Sequence, residues 1–324
     1  MHKNKLPSVP AGSSELDHPT LLNAARDYVK AAKAPNTRRA YHTQWTLFAR
    51  WCERRGRAAL PTESATLALY LADRARRGRK VATLSLALSA IRAAHRDANF
   101  PDPADTVEVR TVWEGIRRTH GTAQRRAAPL SAGDIAKISA KLRSGTPRTA
   151  RDRAMILVGF AGAFRRSELV ALDVADLTFK PAHGLVVRVK RSKTDQNAAG
   201  ADVAIPFGSN SSLCPVQALR AWLAAGSVTE GPVFRSIDRH GNLGGRLDGR
   251  DVARIVKAAA ERAGLDATLV SGHSLRAGLA TSAALAGKSD RAIMAQGRWR
   301  SRAMMDRYVR SADQWRDNAA GGSP

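Results

Sequence analysis

Three short segments carry residue types that could act together on one phosphate. The first is Gly272-His273-Ser274-Leu275-Arg276-Ala277-Gly278. If Ser271 or Gly272 opens a helix, His273 and Arg276 lie three apart on one face, beside free N–H groups that favour an anion. An imidazole can move a proton near neutrality, and a guanidinium matches phosphate oxygens with a planar fork. The second segment is Phe164-Arg165-Arg166-Ser167-Glu168-Leu169, set between two apolar stretches. A guanidinium leaving such surroundings is partly desolvated, which strengthens its hold on phosphate, and Glu168 would orient it. The same residues also read as an Arg–Glu pair tying one helix to another. The third is the arginine-rich run Gln296–Arg310, which contains Tyr308, the only one of four tyrosines beyond residue 70. A phenol, with a pKa of about 10, is a poor nucleophile unless neighbouring cations and a proton acceptor favour the phenolate. Standing alone, Tyr308 reads as an aromatic that packs the last helix with Trp299 and Met305.

The whole chain is built to meet a polyanion. Its 324 residues contain 53 Lys plus Arg against 28 Asp plus Glu, a formal net charge of +25. Arginine outnumbers lysine 41 to 12, a bias that suits phosphate and that a GC-rich genome would also produce. Up to residue 130 there are 23 basic and 11 acidic side chains, and beyond it 30 and 17. Two basic halves suggest two surfaces closing on one long anion such as duplex DNA. No apolar run approaches the ~18 residues of a membrane span, and the polar start lacks a signal peptide's apolar centre. The expected place is the cytoplasm, associated with the nucleoid, in a bacterium or a mobile element. Two cysteines, Cys52 and Cys214, cannot make a disulfide framework.

The elements that must position these residues are mostly helices. Residues 1–19 are polar and read as a flexible N-terminus. Helical periodicity is legible over about 20–33, from Asn36 or Thr37 as N-cap, and over 64–78, 82–97 and 106–118. In the second of these helices Tyr41, Trp45, Phe48 and Cys52 form one apolar stripe, with Arg38, Arg39 and Arg50 turned away. The basic stretch 119–130 has no apolar period and reads as a linker. Beyond it, Ser131 precedes a helix carrying Ile135 and Ile138, and Ala154–Phe160 reads as a buried helix. The β signal is confined to Leu177–Phe179, Leu185–Lys190 and Val203–Phe207, which predicts a three-stranded antiparallel sheet. From Cys214 onward the pattern is helical again. The expected fold is therefore mainly α: an all-helical domain over 20–118 and an α+β domain over 131–324 with a short C-terminal tail.

In order along the chain, Arg-x-Ser-Glu-Leu, a strand-borne lysine, His-x-Leu-Arg, Gly-x-Trp and a tyrosine nine residues after that tryptophan resemble the tyrosine recombinase (phage integrase) family. The helix Asn-Thr-x-x-x-Tyr-x-x-x-Trp-x-x-Phe-x-x-Trp-Cys looks like that family's N-terminal core-binding domain, so the likeness spans the chain.

The resemblance implies a site-specific recombinase that cleaves and rejoins DNA through a 3′-phosphotyrosyl intermediate and needs no cofactor, neither metal nor ATP. It implies that Tyr308 attacks the scissile phosphate, that Arg165 and Arg276 hold its non-bridging oxygens, and that His273 accepts or relays the phenolic proton. It implies that Lys193 protonates the leaving 5′-oxygen, and that Trp299 packs on the site or donates its indole N–H. Arg166 competes with Arg165 by a shift of one, and Lys190 competes with Lys193. Arg38, Arg39, Arg166, Arg191, Arg298 and Arg300 are the expected DNA-holding cations. The implied partners are double-stranded DNA with inverted-repeat core sites and further copies of the chain, assembled as a tetramer on two DNA sites. Trp315 is a candidate for docking on a neighbour or for packing on its own domain. A type IB topoisomerase would use a similar residue set, and a catalytically silent DNA-binding regulator would share the fold. The recombinase-like N-terminal helices argue against the first, and the occupied active positions against the second.

Overall fold

The computed structural model describes residues 34–123, 127–143, 145–190 and 200–313, with backbone only at 307 and 310–313, together with Thr20, Leu21, Asn23, Ala24, Asp27 and Tyr28. The expectations for 1–19, for Arg191 and Lys193, and for Trp315 lie outside the described residues. The chain divides into two compact units, Met1–Arg125 and Arg126–Pro324.

The first unit is helical: α1 (Pro35–Glu53), α2 (Ser64–Arg76), α3 (Val81–Asp97) and α4 (Val107–His120), while the six described residues of 20–33 are also helical. The start of α1 differs from the sequence expectation. Ala34 is the N-cap and Pro35 the first helical residue, because the proline ring presets the helical φ and its missing N–H would have had no partner there. Phe48 and Cys52 are fully buried, Tyr41 and Trp45 half-buried, and Arg38, Arg39 and Arg50 exposed. Phe48, Trp51, Tyr70, Leu71, Leu84 and Ile91 make this unit's core, with Tyr70 edge-on to both Phe48 and Trp51.

The second unit begins with α5 (Ala132–Lys141), opened by a capping box in which Ser131 and Asp134 satisfy each other's backbone N–H groups, a device that stabilises a helix by about 1 kcal/mol. Helix α6 (Pro147–Ala161) buries the run from Ala154 to Gly159. It leads through a tight turn into the short α7 (Arg166–Ala171). Strands β1 (Leu177–Lys180), β2 (Gly184–Val189) and β3 (Ala201–Pro206) form the antiparallel sheet in the order β1-β2-β3. Its register pairs Leu177 with Val187 and Val187 with Val203. Alternate residues Leu185, Val187, Val189, Val203 and Ile205 point into the core, as the period of two requires.

Helix α8 (Pro215–Ala225) places Trp222 in that core. A second hairpin follows, β4 (Arg235–Ile237) with β5 (Leu243–Arg246). The helical expectation for this region missed it, since LGGR has no β-branched residue and the strands span only three and four residues. Helices α9 (Gly249–Arg262), α10 (Ser274–Leu285), α11 (Asp290–Gly297) and α12 (Arg302–Asp313) complete the unit. Among the described residues, no helix is long and apolar enough to cross a membrane.

The second unit contains two hydrophobic clusters. The large one runs from Leu130 to Leu275 and takes in α5 to α9, the three-stranded sheet and the start of α10. The small one joins Ala280, Ala284, Ile293, Trp299, Met305 and Val309 from α10 to α12. The candidate residues lie where these clusters meet.

Candidate active site

His273 and Arg276 stand at the start of α10. Ser271 N–H donates to Ser274 Oγ at 2.9 Å, and His273 N–H donates to Ser271 Oγ at 3.0 Å. This interlock makes His273 the N-cap and leaves its side chain exposed, while Arg276, one turn in, is 1% exposed. Gly278 has to be glycine because a Cβ there would lie 1.9 Å from the Leu130 carbonyl oxygen. The chain entering the unit therefore crosses directly over α10.

Arg276 is a buried cation with incomplete partnering. Its Nη1 donates to the Ala163 carbonyl, its guanidinium carbon lies 4.2 Å from the centre of the Trp299 ring, and its Nη2 has no hydrogen-bond partner. Burial, and then the charge of Arg165, pull its pKa down to about 9, against the opposing pull of Glu168. A cation held at such cost is stabilised by an arriving anion.

Arg165 is the N-cap of α7 and half-buried. Its backbone N–H donates to Glu168 Oε2 at 2.9 Å and its Nη1 to Oε1. Arg166 points elsewhere: it is exposed, with its stem packed against Gly272, where a Cβ would come within 2.3 Å of Arg166 Cδ. Of the two adjacent arginines, only Arg165 shares Glu168 with the rest of the constellation. Glu168 is fully buried, and burial pushes its carboxyl up. Arg298, followed by the amide and guanidinium of Arg165, outweighs burial and holds the carboxyl below the ordinary glutamate range.

Arg298 departs from the expectation of a DNA-facing cation. It is the C-cap of α11 with φ 54° and ψ 44°, the left-handed region, which costs an L-residue roughly 1–2 kcal/mol. Its guanidinium turns inward, with 12% of the side chain exposed, onto Glu168 Oε2 at 2.8 Å and the carbonyls of Gly162, Ala163 and Gln296. Ala163, also left-handed at φ 46°, aims its carbonyl at both Arg276 and Arg298. Two non-glycine residues of positive φ thus face each other across the site, where backbone strain tends to concentrate in functional centres. Arg300, two residues on, is exposed.

Tyr308 lies on α12, half-buried, and its hydroxyl is 3.2 Å from His273 Nε2. Trp299 is 5% exposed and lies between Arg276 and Tyr308, with ring centres 5.5 Å apart from the tyrosine. Gly297 gives that ring its room, since a Cβ there would sit 1.7 Å from it. Thr281 Oγ1 donates to the Tyr308 carbonyl at 2.8 Å, fixing α12 to α10. The structure therefore brings Arg165, Glu168, His273, Arg276, Trp299 and Tyr308 together. Lys190, the alternative lysine, is exposed and bridges Asp176 at 2.8 Å and Asp173 at 3.4 Å. Its hydrogen bond to Asp176 raises its pKa. Arg38 and Arg39 belong to the other unit.

Arg298 is the residue whose inward placement the sequence did not disclose. Gly-Arg-Trp gives no sign of a left-handed arginine, and an arginine-rich run looks the same whether its members face DNA or the core.

The phage integrase family model matches residues 129–315. An integrase/recombinase xerD homolog of Selenomonas ruminantium is 38% identical over 299 residues, covering 91% of this chain and 87% of that protein. The tyrosine recombinase XerD of Bradyrhizobium diazoefficiens is 31% identical over 254 residues, covering 75% and 76%. In fold, the chain is similar to the lambda integrase (residues 75–356) bound to DNA, with a TM-score of 0.59 at 19% identity over 93% of this chain and 98% of that one. With its long match to the family model and these relatives along most of its length, the chain belongs to the phage integrase family and is a tyrosine-type site-specific recombinase.

Proposed function

We propose that this recombinase breaks and reseals duplex DNA by direct attack of Tyr308 on the scissile phosphate, and that both basic units bind the duplex. The observation that carries this reading is the pairing of a phenol and an imidazole 3.2 Å apart beside a buried guanidinium with an unpartnered nitrogen. As the Tyr308 Oη–P bond forms, the P–O5′ bond breaks, leaving a 3′-phosphotyrosyl link and a 5′-hydroxyl. His273 Nε2 takes the phenolic proton, for which a neutral imidazole is suited. Arg165 and Arg276 hold the non-bridging oxygens and stabilise the charge that develops there, a contribution worth about 10²–10³ in rate per donor in comparable sites. Lys193 supplies the proton to the leaving oxygen, as the family resemblance implies. Arg276, 1% exposed, offers the phosphate its unpartnered Nη2. Attack by a different 5′-hydroxyl reverses the step, so phosphodiester energy is conserved without a metal or ATP. Exchange between two duplexes needs a reacting centre on each strand, which a tetramer on two inverted-repeat sites supplies. The bacterial sources of the relatives support action in a bacterial cytoplasm, in association with the nucleoid.

The test is covalent trapping. The native protein is incubated with a library of nicked duplexes bearing a randomised core, and denaturant-stable adducts are isolated and sequenced. The nick lets the cleaved end diffuse away, so the adduct accumulates. Native protein should give an adduct on inverted-repeat sequences, and Tyr308→Phe should retain DNA binding and give none. Adduct formation by Tyr308→Phe would overturn the assignment.

A further inference from the structure

We infer that Arg298 is a positioning residue for the cleavage step, locking the tryptophan- and tyrosine-bearing segment to the arginine floor of the site. This inference rests on the proposed roles of Arg165, Arg276 and Tyr308. Arg298 is the last residue before Trp299, and its fork reaches three backbone carbonyls and one carboxylate: Gln296 on its own helix, Gly162 and Ala163 in the turn before α7, and Glu168 within α7. Its guanidinium also lies 5.1 Å from the centre of the Phe164 ring. One side chain therefore ties the turn that delivers Trp299 to the turn and helix that carry Arg165 and Glu168. Through Ala163 it shares an acceptor with Arg276, and through Glu168 it shares a carboxylate with Arg165.

The charges explain why an arginine is needed. Glu168 is fully buried between Arg165 and Arg298. With Arg298 present, the carboxylate orients Arg165 while a second cation offsets its charge, so Arg165 keeps positive potential for the phosphate. Without Arg298, Glu168 pairs with Arg165 alone and competes with the phosphate for it. The geometry points the same way: the left-handed turn at Arg298, closed by backbone N–H groups on the Ala295 and Met294 carbonyls, sets the direction in which Trp299 leaves α11, and the fork fastens that turn to Gly162, Ala163 and Glu168.

The experiment compares Arg298→Lys and Arg298→Met on the nicked duplex selected by trapping with native protein. Three quantities are read: the single-turnover rate of adduct formation at saturating protein, the DNA affinity with its salt dependence, and the melting temperature. Arg298→Met should slow adduct formation by about 100-fold, the scale expected when reacting groups are misplaced by about an ångström, with affinity and salt slope unchanged. Arg298→Lys keeps the charge but not the fork, and should recover about tenfold of that loss. The double variant Glu168→Gln/Arg298→Met should be no slower than the slower single variant, because the offending carboxylate is gone. Lost affinity with a salt slope reduced by about one, at an unchanged saturated rate, would make Arg298 a phosphate contact and overturn the proposal. Equal rates for the Lys and Met variants at equal melting temperature would reduce it to a packing residue and overturn it as well. If native protein forms no adduct, or Tyr308→Phe forms one, the failure belongs to the proposed mechanism rather than to Arg298.

Discussion

Arg165 and Arg276 project from elements whose apolar sides lie in the large cluster of the second unit, with Trp222, Phe234, Leu275 and the inward face of the sheet. Trp299 and Tyr308 stand instead on the small cluster of Ala280, Ala284, Ile293, Met305 and Val309. Apart from α10, which contributes to both clusters, and the contact of Arg276 with the Trp299 ring, the two halves meet through polar bonds. Gln296 Nε2 donates to the carbonyls of Ala161 and Ala204, and Arg298 reaches Gly162, Ala163 and Glu168. Apolar packing is dense and does not deform gradually, so the cationic half should behave as a rigid floor. The half that carries Trp299 and Tyr308 buries little and depends on hydrogen bonds with defined lengths and angles. The contrast separates what the protein needs in order to fold from what it needs in order to cut.

Core truncation in each half tests that contrast with the largest expected effect. Trp222 is fully buried, and its indole N–H donates to the Val233 carbonyl. Trp222→Ala should destabilise the second unit by about 3–5 kcal/mol, and adduct formation should fall only in step with the folded fraction. Met305→Ala, in the small cluster, should cost about 2 kcal/mol yet slow adduct formation in the molecules that remain folded. Thermal melts alongside single-turnover rates separate the two, and equal rates per folded molecule would erase the distinction.

Arg276→Met sharpens the comparison from the cationic side. It should lower the single-turnover rate by about 10²–10³ and raise the melting temperature of the DNA-free protein, since a buried, incompletely partnered charge is removed from an apolar setting. A lower melting temperature would show that the Ala163 hydrogen bond and the Trp299 contact outweigh the burial of that charge.

The smallest effect expected is a pH dependence. The carboxyl of Glu168 is held below its ordinary value in the fold, so its ion pairs add stability that is fully present above the ordinary glutamate pKa of about 4.3. That stability is lost as pH falls through the lower folded-state value. The melting-temperature gap between native protein and Glu168→Gln should hold steady through neutral pH and shrink below about pH 4. A gap that stays constant into acid would remove the ion pairs from the account.

The helices and the three-stranded sheet were readable because burial imposes a period on apolar residues, as in Phe48 and Cys52 or in Leu185, Val187 and Val189. The short hairpin β4–β5 carries no such period, and a proline at the first helical position moved the start of α1. Within the site, the spacing of His273 and Arg276 and the count to Arg165 gave side chains that the fold places in one cluster. What spacing does not encode is backbone handedness. A left-handed Arg298 and a left-handed Ala163 redirect an arginine and a carbonyl inward, and neither residue type announces it.

The covalent bond proposed between Tyr308 and DNA is tested by peptide mapping of the trapped adduct by mass spectrometry. A nucleotide should be found attached through its 3′-phosphate to the peptide containing Tyr308 in native protein, and should be absent from Tyr308→Phe. A link to any other residue, or attachment through the 5′ end, would contradict it.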